Sequence, residues 1–263
     1  MPTRGSTILA AEDRAEELRR DGYTLLGPVL SKDVIANLNE AFDRRYAHLT
    51  DHDHHADFEN SLQTGNRRYM LTVELSGAFA DPVVYANRLI IDVLNIVFEQ
   101  TLILENCGVA LSLPGAKTQH CHRDGSFLFN TGLSALLPSW AVTVGIPLID
   151  MNMEQGTTEI FPGSHRAIEW DESASSIVPD VPAGAVLMWD ARTLHRGTEN
   201  RSARHRPLLY LTYSKPWWRD IVNFEPVWGD SGPVRPQKKI LFGKDFFASV
   251  PPESRSLFRN ADP

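Results

Sequence analysis

Cysteine is nearly absent from this 263-residue chain: Cys107 and Cys121 are the only two. Two thiols cannot build a disulfide framework and lack the spacing of a zinc site, so a cross-linked secreted scaffold is excluded and a reducing, cytoplasmic setting is expected. Long apolar runs are lacking too. The most apolar stretches, Val83 to Phe98 and Ala141 to Ile149, are too short or too interrupted to span a bilayer, and the N-terminus opens on polar residues, so no membrane role is expected. Positive charge is in deficit, with 26 Lys and Arg against 33 Asp and Glu and a formal net charge of -7. That field repels a phosphate backbone and the basic residues are scattered, so no nucleic-acid partner is expected.

What is present reads as a folded globular protein. Apolar residues at 42% and charged residues at 22% are ordinary for one, and the length suits a single domain with a full core and a pocket. Glu12 to Arg20 has the composition of a surface helix, followed by an Asp21-Gly22 turn and a strand-like run from Tyr23 to Val29. Ser31 can cap a helix with an apolar stripe at Val34, Ile35, Leu38, Ala41 and Phe42. Asp51 to Asn66 shows no periodicity and reads as a loop, with His52, His54 and His55 solvated in it. Asp81-Pro82 starts another helix, which the apolar spacing continues to Phe98.

From Thr101 the texture changes to short β-branched and apolar runs broken by Gly, Pro, Asn and Asp. They are Leu102 to Leu113, Ala141 to Ile149, Thr157 to Phe161, Ala185 to Trp189 and Pro207 to Tyr213. Such runs predict a closed sandwich or barrel. The expected layout is one domain with N-terminal helices over 1–100, a barrel core over about 101–215 and an extension of loops and short elements over 216–263.

The segment from Gln119 to Gly125 carries the chemistry. In an extended backbone residues two apart share a face, so His122 and Asp124 can offer an imidazole nitrogen and a carboxylate oxygen to one ion. Alone, His-x-Asp is common. His195 follows an apolar strand far enough along the chain to return beside the first pair. Two histidines and one carboxylate on one face of an octahedron suit iron(II) that keeps three positions open. Eleven residues after His195, Arg206 precedes another strand, and its planar fork can grip a carboxylate bidentately as a lysine cannot. Pro162 to Arg166 reads as a turn, with His165 stabilising it, and His120 is expected to face the neighbouring shell rather than to be a ligand.

Three features in this order resemble the phytanoyl-CoA dioxygenase family of iron(II)- and 2-oxoglutarate-dependent oxygenases: Gln119-x-x-His122-x-Asp124, the run Gly156 to Arg166, and Asp190 through His195 to Arg206. The resemblance covers roughly Gly22 to Tyr213. It implies a mainly β fold with flanking helices, a double-stranded β-helix of the jelly-roll, cupin-like kind. It further implies iron held by His122, Asp124 and His195, and 2-oxoglutarate held by Arg206, with Gln119 and Thr158 at positions that often assist cosubstrate binding. Dioxygen is the second cosubstrate. The implied reaction oxidises a C–H bond of a small organic molecule, a natural-product intermediate, releasing succinate and carbon dioxide. Hydroxylation is the default outcome, with desaturation, epoxidation or rearrangement starting from the same oxidant. Halogenases of the broader group replace the ligand carboxylate by a small residue, and Asp124 argues against that chemistry. Two other readings stay open on the residues alone: a metal-dependent isomerase or hydrolase without a cosubstrate, and a non-catalytic binding protein. The oligomeric state is not legible.

Overall fold

The computed structural model describes residues 4–46, 61–73, 75–99, 101–171, 173–218 and 251–256. The chain opens with α1 (Arg4–Asp21), β1 (Tyr23–Leu26) and α2 (Lys32–Tyr46). Gly22 ends α1 in the left-handed region at φ +80°, its N–H donating to the Leu18 carbonyl, which favours glycine at this position. A Cβ there would also sit 2.4 Å from His165 Nδ1. Ser31 caps α2 as expected, accepting from the Val34 N–H at 3.3 Å. Ile35, Leu38, Phe42 and Tyr46 are its buried stripe.

Two expectations need correction here. Part of the stretch read as a loop is a strand: β2 (Ser61–Gly65) pairs with β3 (Arg68–Thr72) at the sheet edge. An edge strand needs no apolar alternation, so periodicity missed it. His52, His54 and His55 lie outside the described residues. The helix begun at Asp81 is not continuous either: α3 (Pro82–Tyr85) stops, and Asn87 caps α4 (Arg88–Phe98) by accepting from the Leu89 N–H. A second Asx cap restarts the helix where the spacing alone showed no break.

The remaining elements are β4 (Ile103–Ser112), α5 (Gly132–Leu136), β5 (Ala141–Pro147), β6 (Thr158–Ile160), β7 (Val186–Asp190), β8 (His195–Gly197), β9 (Arg206–Ser214) and α6 (Pro252–Arg255). Most of the C-terminal extension lies outside the described residues. Seven strands form an antiparallel sheet in the order β1-β7-β5-β9-β4-β3-β2. The smaller sheet pairs β6 with β8, and single bridges at His122↔His195 and Ile160↔Ile177 extend it on either side. Ile160 and Ile177 of the small sheet pack on Leu187, Trp189 and Tyr210 of the large one. The two sheets make the expected double-stranded β-helix. Strand β1 falls in the run from Tyr23 that reads as a strand, and β1 to β3 all precede residue 101, so the barrel draws on both parts of the chain.

The outer face of the large sheet is covered by helices. Val144, Leu209, Leu211 and Tyr213 belong to one core cluster with Leu38, Phe42, Ile90 and Leu94 from α2 and α4. The central strands β5, β7 and β9 are buried along their whole length, which is why they read as continuous apolar runs rather than alternating ones. Among the described residues no helix is long and apolar enough to cross a membrane.

Candidate metal centre

The turn after β7 and the bridge to the small sheet bring the three expected ligands together. His122 and His195 exchange both backbone hydrogen bonds, at 3.0 and 2.9 Å, as a closely paired antiparallel bridge. Their rings consequently stand 4.5 Å apart. Asp124 lies two residues beyond His122, in the bend that follows the bridge. One ligand atom from each of His122, Asp124 and His195 lies within 4.8 Å of the others.

The ring nitrogens are already sorted. His122 Nδ1 is 3.1 Å from the His120 carbonyl and His195 Nδ1 is 3.0 Å from the Thr193 carbonyl. A carbonyl only accepts, so both Nδ1 atoms carry the proton and both Nε2 lone pairs are directed elsewhere. Asp124 Oδ1 lies 3.4 Å from His195 Nε2, while Oδ2 accepts from the Thr143 hydroxyl and the Trp189 indole N–H, each at 2.8 Å. This arrangement fits a divalent ion: two neutral imidazoles and one carboxylate converge, each oriented through its other end.

The electrostatics agree. Burial, followed by the neighbouring His195, pulls the His122 pKa down to about 4, so this imidazole is neutral at ordinary pH. Burial opposes ionisation of Asp124, but His195, His122 and the Thr143 hydroxyl outweigh it and hold the carboxyl below its usual range. Burial likewise opposes charge on His195, and the Asp124 carboxylate overcomes it and raises the pKa.

The triad opens on a cavity of about 400 Å³ inside the barrel. Arg206, Gln119 and Thr158 all line it, so the structure gathers the six expected residues around one space. Their engagements differ. Arg206 is 3% exposed and its Nε has no hydrogen-bond partner. Burial, then repulsion from Arg68, lowers its pKa to about 9. Gln119 instead has both ends of its amide tied to backbone: it donates to the Thr64 carbonyl at 3.1 Å and accepts from the Gly197 N–H at 2.9 Å. It acts as a strut between β2 and β8 in this structure. Thr158 is buried at the start of β6, opposite Gly197.

Several cavity residues escaped the sequence reading. Arg68 on β3 lies across Ser112 from Arg206 in one cross-strand row. It donates to the Lys117 and Thr198 carbonyls, and burial lowers its pKa to about 10. Asn106, 6% exposed, lines the cavity with an unpartnered Oδ1. Nothing local marks these residues, because register across three strands assembles them. His120 lines the cavity beside the triad, its ring 5.6 Å from that of His122, and is not one of the three converging ligands. His165 is away from the triad, its Nε2 N–H donating to the Arg19 carbonyl at 3.1 Å, in keeping with a turn-stabilising role.

Two buried guanidinium groups face a cavity whose one lining carboxylate, Asp124, is held at the histidine end, and this calls for an anion. A dicarboxylate with one end toward the triad and the other toward Arg206 meets that demand.

Comparison with known proteins gives a consistent picture. The family model for phytanoyl-CoA dioxygenase (PhyH) matches residues 18–208. The chain is 26% identical over 226 residues to dioxygenase af480 of Aspergillus fumigatus, covering 82% of this chain and 71% of the relative. It is 26% identical over 219 residues to dioxygenase trt7 of Aspergillus terreus, covering 75% and 71%. Among solved structures, the epimerase SnoN in complex with Fe3+, alpha ketoglutarate and nogalamycin RO superposes with a TM-score of 0.63 at 20% identity, covering 86% of this chain and 94% of that one.

Proposed function

The chain belongs to the phytanoyl-CoA dioxygenase family, and on that premise we propose that it is a non-haem iron(II), 2-oxoglutarate-dependent oxygenase acting on a small organic molecule. One observation carries the reading: His122, Asp124 and His195 converge at one part of a cavity that also holds the unpartnered guanidinium Nε of Arg206. When bound, iron and 2-oxoglutarate supply an oxidant made from dioxygen, with succinate and carbon dioxide as by-products of the C–H oxidation.

The protein's own residues do the rest. His122 and His195 present Nε2 to the metal because the His120 and Thr193 carbonyls hold the opposite nitrogens. Arg206 grips the distal carboxylate of the cosubstrate, and Arg68 adds a second positive charge beside it. Thr158 lies close enough to this pocket to assist, whereas Gln119 acts through the backbone it braces. Tyr69, Met70, Leu208 and Tyr210 give the cavity an apolar wall, and Gln63 and Thr64 from the edge strand give it a polar rim. A volume near 400 Å³ must take the cosubstrate and the substrate's reacting part together, which favours a compact natural-product intermediate.

Hydroxylation is the outcome we assign by default. SnoN, an epimerase, shares the fold, so stereochemical inversion or another rearrangement belongs to the same range of products. A Lewis-acid isomerase or hydrolase on the same triad would give Arg206 no anion to meet. The family unit runs as one domain, and the two unlinked cysteines suit a reducing, cytoplasmic setting.

The test is anaerobic addition of iron(II) and 2-oxoglutarate to the purified protein. We expect the weak visible charge-transfer band of a chelated complex. A folded, metal-loaded protein that shows no band overturns the oxygenase reading.

A further inference from the structure

Asp124 receives two hydrogen bonds on the same oxygen. Thr143 on β5 and Trp189 on β7 are direct cross-strand partners, and both donate to Oδ2 at 2.8 Å. Both donors are buried, at 0% and 2% exposure. The indole is fixed on two further sides. Its ring centroid lies 5.1 Å from that of His195 and 6.3 Å from that of Tyr210. Gly145, next on the same face, leaves the room it occupies, since a Cβ there would stand 3.1 Å from Trp189 Cζ3.

An ionised carboxylate oxygen offers two in-plane lone pairs. On Oδ2 both are spoken for by well-placed donors, while Oδ1 is the oxygen turned to His195 Nε2. Rotation that would bring both oxygens to one ion must break two buried hydrogen bonds to an anion, each stronger than a neutral pair.

We propose that the Thr143–Trp189 pair is a positioning device that restricts Asp124 to one-oxygen binding and so keeps three metal positions open. A chelating cosubstrate takes two positions and dioxygen needs the third, so a two-oxygen aspartate would leave the site one short. The inference rests on the metal reading above. It adds that β5 and β7 set how the aspartate binds, a role the His-x-Asp motif does not contain.

The experiment uses Mn(II)-loaded full-length protein without cosubstrate and reads water-proton relaxivity, which scales with the number of exchangeable metal-bound waters. We compare wild type with Trp189→Phe, Thr143→Val, Thr143→Ser and the Thr143→Val/Trp189→Phe double variant. Phe keeps the ring packing and loses the N–H, Val keeps the shape and loses the hydroxyl, and Ser keeps the hydroxyl. The double variant should lose roughly a third of the relaxivity, one open position of three. The single variants should fall between, and Thr143→Ser should match wild type. In the iron(II) protein, the cosubstrate band of the double variant should need roughly 10–100-fold more 2-oxoglutarate.

A double variant with wild-type relaxivity and an unshifted titration overturns the role of the pair, as does a Thr143→Ser variant that behaves like Thr143→Val. Thermal unfolding shows which variants fold, and Trp189→Phe alone carries the comparison if the double variant does not. Wild type that binds no Mn(II) sinks the metal reading itself, and with it this inference, before any variant is compared.

Discussion

Strand β9 has two faces with opposite characters. Leu209, Leu211 and Tyr213 point outward into the helix-covered core. Arg206, Leu208 and Tyr210, alternating with them, point into the cavity. On the outer face the polar group is satisfied: the Tyr213 hydroxyl donates to the Tyr85 carbonyl at 2.5 Å. On the inner face Arg206 is equally buried yet keeps a polar atom without a partner. Burial accompanied by satisfaction stabilises the fold, whereas burial without it is tolerated where a ligand completes the site. The same backbone thus carries a structural face and a functional one.

That contrast can be broken or sharpened by substitution. The largest effect belongs to Asp124→Ala, which removes the site's one carboxylate. Metal affinity measured by titration should fall by more than the roughly 10–100-fold typical of losing an outer partner, and turnover should disappear with it. Arg206→Ala should come next. Losing a buried charge partner costs about 2–5 kcal/mol, so 2-oxoglutarate binding followed calorimetrically should weaken at least about 30-fold while metal stays bound. The ligand-free protein should melt no lower, since an unpaired buried cation has been removed; a much lower melting temperature would show Arg206 to be structural.

Leu211→Ala is the matching change on the outer face. A cost of about 2–5 kcal/mol in denaturant unfolding is expected, with metal and cosubstrate affinities unchanged in the folded protein. If instead Leu211→Ala altered the cosubstrate titration, the two faces would be coupled. Gly145→Ala should have the smallest effect. Its new methyl would press on Trp189 and Leu208 at 3.1 and 3.3 Å, costing about 1–3 kcal/mol of stability. Because Trp189 also holds Asp124, a small loss of metal affinity should accompany it.

Legibility in the sequence followed the range of the interactions. The triad was legible because strand parity sets His122 and Asp124 side by side, and the motif order supplied His195 and Arg206. Strands β4, β5, β7 and β9 were legible because burial on both faces makes them continuous apolar runs. By contrast, β8 is only His195-Arg196-Gly197 and β2 is mostly polar, so neither carries a period. Arg68 looks like any surface arginine until register sets it across Ser112 from Arg206. Thr143 and Trp189 were read as ordinary strand residues for the same reason: their shared acceptor is far away in the chain. Gln119 matched the family position, but the backbone groups occupying its amide come from two other strands.

The paired backbone bridge between His122 and His195 has a thermodynamic consequence. Bringing two distant stretches of chain together costs closure entropy, and here that cost is met when the small sheet forms during folding. Loading the metal then requires little further ordering, so its affinity reports the chemistry of the three donor atoms rather than the assembly of the loop between them. The ion should raise the unfolding temperature by mass action alone, in proportion to the logarithm of its free concentration.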